Sequence, residues 1–568
     1  MTDAIGQLVS DLSGREQAGQ LVMSLPQFLS EREQYRLFTE YGVGSTLVRT
    51  PNNPAYMTAF TNRLQEYAAE SSAGLPLLVA GDFDDGSTSN MPLMSGDAPP
   101  TAADGSQGGT AFPRPMALGA TGDPENAQTA AAVTARELRA MGIHWNFAPV
   151  ADVNTTAENP VIGVRSFGER PDHVAEFVTA AIDGYQSGGA ASRILATAKH
   201  FPGHGDTTVD SHTGLPVVDA DPMTLKEIHL PPFERAIDAG VDSIMTAHVV
   251  TEAFDDERPA TLSPAVLTDL LREELGYDGL VITDSMDMDG VTSGWGRGEA
   301  AVRAIAAGAD VVLAVSKGPD AFDAQLETVE ALAGAIRSGE LPPERVEAAV
   351  RRVLAAKRRV GLLNGYDSKV PDPLSATAAV GTPTNRETAA RIARESVTIV
   401  RNKDVIPFDP EASLTTLVAG VTEGVTRVAA AIRDEAAGEV VTWRASSRDP
   451  TDEAVQTAEA LADAADRVVA LTHSGRGMPD LPAGQASLVE RLSEREPRLV
   501  AVAQELPYDI ASYRAPAAVA AYGGVYQGSM VHLDAVVEVI FGSPTTGRLP
   551  VTVGDYPLGH RSTDNSAN

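Results

Sequence analysis

The chain reads as an α/β protein made of an N-terminal (β/α)8 barrel and a C-terminal α/β sandwich with a doubly wound open sheet. Three observations lead there. Up to about residue 365, eight short apolar runs alternate with longer helix-patterned stretches, the count that a closed parallel barrel needs. Acidic, basic and imidazole side chains stand where several of these runs end. Beyond a proline-marked break the alternation resumes with six further runs.

The eight runs are Gln20 to Ser24, Val43 to Val48, Pro76 to Ala80, Ile143 to Val150, Ile194 to Lys199, Asp242 to Val249, Leu280 to Asp284 and Asp310 to Val315. They are short for helices, and their apolar residues are consecutive, as in strands buried on both faces. At or just past their ends stand Asp82, Asp152, Lys199 with His200, His248 and Asp284. In a TIM-type barrel these ends form one face, on which active sites are built. A lone aspartate in such a place is commonly a helix N-cap. Five strand ends with such residues point instead to a site.

Residues 1–365 are therefore assigned to the barrel, and 385–568 to the sandwich. The intervening 366–384 carry Pro371, Pro373 and Pro383 among small polar residues and read as a linker. In the sandwich, strands are expected at Val397 to Arg401, Thr415 to Ala419, Glu439 to Trp443, Arg467 to Leu471, Leu499 to Val502 and Ala517 to Tyr522. Helical stretches such as Asp452 to Asp466 and Ala486 to Glu494 lie between them. No glycine-rich phosphate fingerprint opens a helix there, so a nucleotide role has no support.

Composition narrows the chemistry. The chain has no cysteine, which excludes disulfides, thiolate nucleophiles and cysteine-ligated metal sites. Its 77 acidic residues outnumber 44 basic ones, only six of them lysine, for a net charge of −33. Nucleic acid is thereby disfavoured as a partner, since phosphate backbones need a basic face. Adaptation to high salt, where screening relieves self-repulsion, is preferred over a merely solvated acidic surface. No apolar run approaches the roughly 20 residues of a membrane span. Met1 to Gly6 lack the pattern of a secretory signal, so a soluble cytoplasmic protein is expected. Nothing in the pattern selects between monomer and homodimer.

The stretch from Lys199 to Pro216 gathers three of the ten histidines into a loop rich in glycine. Asp210 and His212, two residues apart, can form a general acid/base pair in which the carboxylate orients the imidazole. Asp284 follows the β-forming run Gly279 to Thr283, and a carboxylate there can attack a sugar carbon or bind a metal. Asp287 and Asp289 fit an ordinary helix start. His200, His204, His212, Asp206 and Asp210 also allow a hydrolytic metal site. Their spacing lacks His-Glu-x-x-His, however, and Lys199 adds positive charge, so neither metal nor cofactor is expected. Neither Ser211 nor Ser285 lies in a Gly-x-Ser-x-Gly elbow.

The histidine loop and Asp284, with the runs Gly108 to Pro113, Ala117 to Thr121, Asn146 to Val153 and Asn159 to Gly168, resemble glycoside hydrolase family 3, in its β-N-acetylglucosaminidase branch. Ala393 to Thr398 and Gly547 to Val553 resemble that family's sandwich domain. The resemblance implies Asp284 as the nucleophile of a retaining exo-β-N-acetylglucosaminidase and His212, assisted by Asp210, as its acid/base. It further implies Arg165, Lys199, His200 and Met245 as sugar-binding positions, with Asp82 reaching hydroxyls of a terminal β-linked N-acetylglucosamine on a small oligosaccharide or glycoconjugate. Two alternatives stand beside this: a β-N-acetylglucosaminide or β-glucoside phosphorylase, because an imidazole base does not repel phosphate, and an inactive carbohydrate-binding protein. One stretch departs from the family pattern. Asp82-Phe83-Asp84-Asp85-Gly86-Ser87-Thr88-Ser89 stands where the branch carries a Glu-Gly-Gly turn and a later arginine.

Overall fold

The computed structural model describes residues 4–49, 53–88, 108–190, 192–211, 213–218, 220–363, 371–475, 480–523 and 530–562. The chain forms two compact units. The first comprises Met1–Thr110, Gln128–Asp152 and Val178–Thr382, the second Ala111–Ala127, Val153–Phe177 and Pro383–Asn568.

The first unit contains eight parallel strands, one within or overlapping each apolar run: β1 Val22–Ser24, β2 Ser45–Leu47, β3 Leu78–Gly81, β4 Trp145–Asn146, β5 Thr197–Phe201, β6 Ser243–Thr246, β7 Leu280–Ser285 and β8 Val311–Ala314. Their sheet order is β4-β3-β2-β1-β8-β7-β6-β5, which is sequence order around a ring. Parallel bridges Trp145↔Leu195 and Val150↔Lys199 join its two ends. The expected barrel is therefore present. Alternate residues such as Met23, Leu78, Ala80, Trp145, Ile282 and Leu313 turn to one shared core, as the two-residue period of a strand requires.

The two ends of the strands differ in their electrostatics. Asp310, just before β8, is fully buried and pairs with Arg272, Arg345 and Arg352 at 2.7, 3.1 and 3.3 Å. Asp242, just before β6, is held by Arg193 and Arg359. These carboxylates are matched by cations that fasten helices and loops to the sheet. Burial pushes the Asp242 carboxyl up, with both arginines opposing it.

The second unit holds β9 Thr398–Asn402, β10 Thr416–Gly420, β11 Val440–Arg444, β12 Arg467–Thr472, β13 Leu499–Ala503 and β14 Ala517–Ala520. The order is β9-β14-β13-β12-β10-β11, with only β9 antiparallel to its neighbour. Its five parallel strands thus run 2-1-3-4-5, a doubly wound arrangement. Val468 and Ala470 enter one core while Val469 and Leu471 enter the other, so both faces are covered. Of the stretch read as a linker, residues 366–370 lie outside the described residues. Pro373–Ala379 is a helix, since Pro373 fits its first turn and the Asp372 carboxylate caps the Ser375 amide.

Candidate active site

Lys199 and Asp284 both stand at strand irregularities. The register of β5 against β6 shifts between Lys199 and Phe201, and that of β7 against β8 shifts between Ile282 and Ser285. Such bulges re-aim side chains at the rims of barrels. The Asp284 carboxylate accepts the Ser285 amide at 2.7 Å and remains partly exposed.

Lys199 is 1% exposed, and its ammonium lies 2.5 Å from Asp82 and 3.0 Å from Asp84. The carboxylates reach it from the segment that follows β3. Asn146 of β4 pins that segment, accepting the Phe83 amide at 3.0 Å and donating to the Phe83 carbonyl at 3.1 Å. Asp84 is the residue whose part the sequence did not reveal. Its only signal was the two-residue spacing from Asp82, which in extended chain puts both carboxylates on one side. Met245 of β6 is buried in the barrel core and pairs in register with Lys199 on one side and Ile282 on the other.

Asp152 organises the start of the histidine loop. One carboxylate oxygen accepts the amides of His200 and His204 at 3.2 and 2.7 Å, and the other lies 2.7 Å from His200 Nδ1. Burial favours its neutral form, but His200 and the loop's hydrogen bonds outweigh this and hold the carboxyl below its ordinary range. His204 Nε2 lies 3.0 Å from Ser211 Oγ. Burial drives this imidazole down to about 4, with Asp152 and Asp284 opposing the shift and His200 adding to it.

Further along, the loop is fastened to the turn that follows Asp284. The Gly290 amide donates to the Ser211 carbonyl at 3.3 Å, and His248 Nε2 lies 2.9 Å from the Ser285 carbonyl. A side chain on Gly290 would meet the Ser211 and Gly214 carbonyls and His248 at 3.2 Å, so the packing there is close. The Asp210 carbonyl accepts the Thr213 and Gly214 amides at 3.0 and 3.1 Å. His212 itself lies outside the described residues. Arg165 closes a short 3-10 turn, Gly163–Arg165, in the second unit. Among the described residues no three His or acidic side chains converge as a metal site, and no helix is long and apolar enough to cross a membrane.

A closed parallel barrel whose C-terminal mouth carries carboxylates, a buried lysine and an imidazole loop belongs with the barrel enzymes of polar small-molecule chemistry. The model of the glycosyl hydrolase family 3 N-terminal domain matches residues 13–356, and the chain belongs to that family. It is 33% identical over 420 residues to a β-hexosaminidase A from Pseudoalteromonas piscicida, a match covering 70% of this chain and 64% of that protein. The chain thus spans just under two thirds of that relative. A β-N-acetylglucosaminidase/β-glucosidase from Cellulomonas fimi is 31% identical over 418 residues, covering 71% of this chain and 67% of the relative. A solved family 3 β-N-acetylglucosaminidase from Paenibacillus sp. superposes with a TM-score of 0.80 at 33% identity, over 96% of this chain and 99% of that one.

Proposed function

We propose that the chain is a retaining exo-β-N-acetylglucosaminidase that removes terminal β-linked N-acetylglucosamine from small oligosaccharides or glycoconjugates. The observation that carries this reading is Asp284 at the bulged end of β7, with the histidine loop hydrogen-bonded to the turn that follows it. In this reading the Asp284 carboxylate bonds to the anomeric carbon as the bond to the aglycone oxygen breaks. His212, oriented by Asp210, gives that oxygen its proton. Water then donates a proton back to His212 and attacks the same carbon, releasing the sugar with its configuration retained and Asp284 free. Asp82, Arg165, Lys199, His200 and Met245 hold the sugar. Likeness to hexosaminidase relatives supports the choice of N-acetylglucosamine over glucose.

The test is NMR of the first-formed product anomer from a β-N-acetylglucosaminide, in water and in phosphate buffer. Release of the β-anomer in both buffers is the expected result. A sugar 1-phosphate in the second buffer would move the assignment to a phosphorylase. Asp284→Ala should abolish turnover, while His212→Ala should spare substrates with good leaving groups. Equal loss on good and poor leaving groups removes His212 as the acid.

A further inference from the structure

The second unit carries a surface cavity of about 490 Å³ lined by Arg401, Lys403, Arg514, Ala515, Pro516 and Asp555. Strand pairing assembles it. β9 runs antiparallel to β14 with Asn402 opposite Ala517, and the Lys403 amide donates to the Pro516 carbonyl at 3.1 Å. That pairing sets Lys403 beside the stretch that carries Arg514. The turn holding Lys403 is itself fixed, because Asn402 Oδ1 accepts the amides of Val405 and Ile406, both at 3.0 Å.

Three cations therefore meet at one opening, and their charges are not matched. Arg401 directs Nε to the Tyr556 hydroxyl at 2.7 Å and a terminal nitrogen to the Ala515 carbonyl at 3.0 Å, both neutral acceptors. Among the described residues no carboxylate pairs with Arg401, Lys403 or Arg514, and Asp555 is the one acidic residue lining the cavity. The contrast with the rest of the chain is sharp. Asp310 alone takes three arginines and Asp242 takes two, in a protein of net charge −33. A cluster of like charges left unpaired amid so many acids opposes its own assembly and presents charge-assisted donors to a ligand.

We infer that this cavity binds a phosphate-class oxyanion, either inorganic phosphate or the phosphoryl group of a phosphorylated sugar. A compact dianion can accept from guanidinium forks and an ammonium on several sides, which a neutral sugar cannot exploit. The inference does not depend on the proposed reaction, and none of the lining residues belongs to the barrel mouth.

The experiment titrates inorganic phosphate, N-acetylglucosamine 6-phosphate and neutral N-acetylglucosamine into the full chain at low ionic strength, followed by calorimetry. The same titrations are run on the double variant Lys403→Ala/Arg514→Ala, whose two sites are exposed. Phosphate or the sugar phosphate, or both, should bind the unsubstituted chain about tenfold more tightly than the variant, with binding weakened by added salt. Tighter binding of the sugar phosphate identifies a phosphoryl group on a sugar as the ligand; equal binding identifies the free ion. Lys403→Arg/Arg514→Lys, which keeps both charges, should restore affinity, and the alanine variant should retain unaltered glycosidase activity. Equal affinity of the unsubstituted chain and the alanine variant for both anions would overturn the inference, as would a matching loss for the neutral sugar.

Discussion

His200 Nδ1 and Asp152 Oδ2 lie 2.7 Å apart in a site where both side chains are buried, and the other oxygen of Asp152 accepts two loop amides. One carboxylate thus holds both an imidazole and the backbone that carries it. Asp152→Ala leaves those donors without their acceptor, and each buried orphan costs on the order of 1–3 kcal/mol. Asp152→Asn keeps the shape but loses the charge. Thermal unfolding should show a large loss for the alanine variant and a smaller one for asparagine, with kcat/KM falling in the same order. Because the folded carboxyl sits below its ordinary value, its contribution is full above the unfolded value of about 3.9. That contribution fades as pH falls through the lower folded value.

His204 has the opposite chemistry and gives a separate acid signature. Its folded pKa of about 4 lies below the ordinary histidine value, chiefly through burial. Between about 6.5 and 4 the unfolded chain binds a proton that the folded chain refuses, so stability rises with pH across that window. The slope is about 1.4 kcal/mol per pH unit. Urea midpoints from pH 7 to 4 should therefore fall less steeply in His204→Gln than in the unsubstituted chain. An identical pH profile would remove His204 as a contributor.

Much of this architecture was legible in the residues, and the misses have physical causes. Strands buried on both faces leave consecutive apolar runs, so all eight barrel strands fall within or across the runs read from the sequence. The run Ile143 to Val150 yields only Trp145–Asn146 as regular strand. The Phe147 amide still donates to the Gly81 carbonyl and the Ala148 carbonyl accepts the Thr197 amide, both at 2.8 Å, but Pro149 has no amide to donate and the ladder is irregular up to the Val150↔Lys199 bridge. The strand-end rule brought Lys199, His200, Asp152 and Asp284 into view, but not the Asp84–Lys199 pair. That contact joins β3 and β5, which are separated by a strand and by more than a hundred residues, and depends on barrel closure and on Asn146 pinning Phe83. Bulges are likewise a matter of two strands in register, which neither strand records alone.

Lys357 provides a pH test in the alkaline direction. It is fully buried in the helix Pro343–Arg359, donates to Gln20 Oε1 at 2.5 Å, and is pushed down to about 7 by burial. From about 7 up to the unfolded value near 10.4, the unfolded lysine keeps a proton that the folded one has lost, so this group makes stability rise with pH. Lys357→Met removes that dependence and relieves the cost of burying an ammonium, although Gln20 Oε1 loses its donor. The expected result at pH 7 is a Tm equal to or above that of the unsubstituted chain, with a flatter profile to pH 10. A loss on the order of 3 kcal/mol at every pH would instead assign the lysine a favourable structural bond.

Gly81, the last residue of β3, tests how strictly the Asp82 to Asp84 segment is positioned. A Cβ there would fall 2.0 Å from the Phe83 ring, which is buried and has its backbone bonded at both ends by Asn146. Neither the ring nor the segment can move without shifting the flanking carboxylates, so Gly81→Ala should carry two effects. Overpacking should cost about 1–3 kcal/mol of stability. Displacement of Asp82 and Asp84 from Lys199 should lower kcat/KM by more than that loss explains at a temperature where the variant remains folded. Asp84→Asn, which keeps the volume but weakens the hold on Lys199, should reproduce the kinetic part with less of the stability loss. If Gly81→Ala unfolds more readily yet turns over at the unsubstituted rate, Lys199 does not depend on these two carboxylates for its working position.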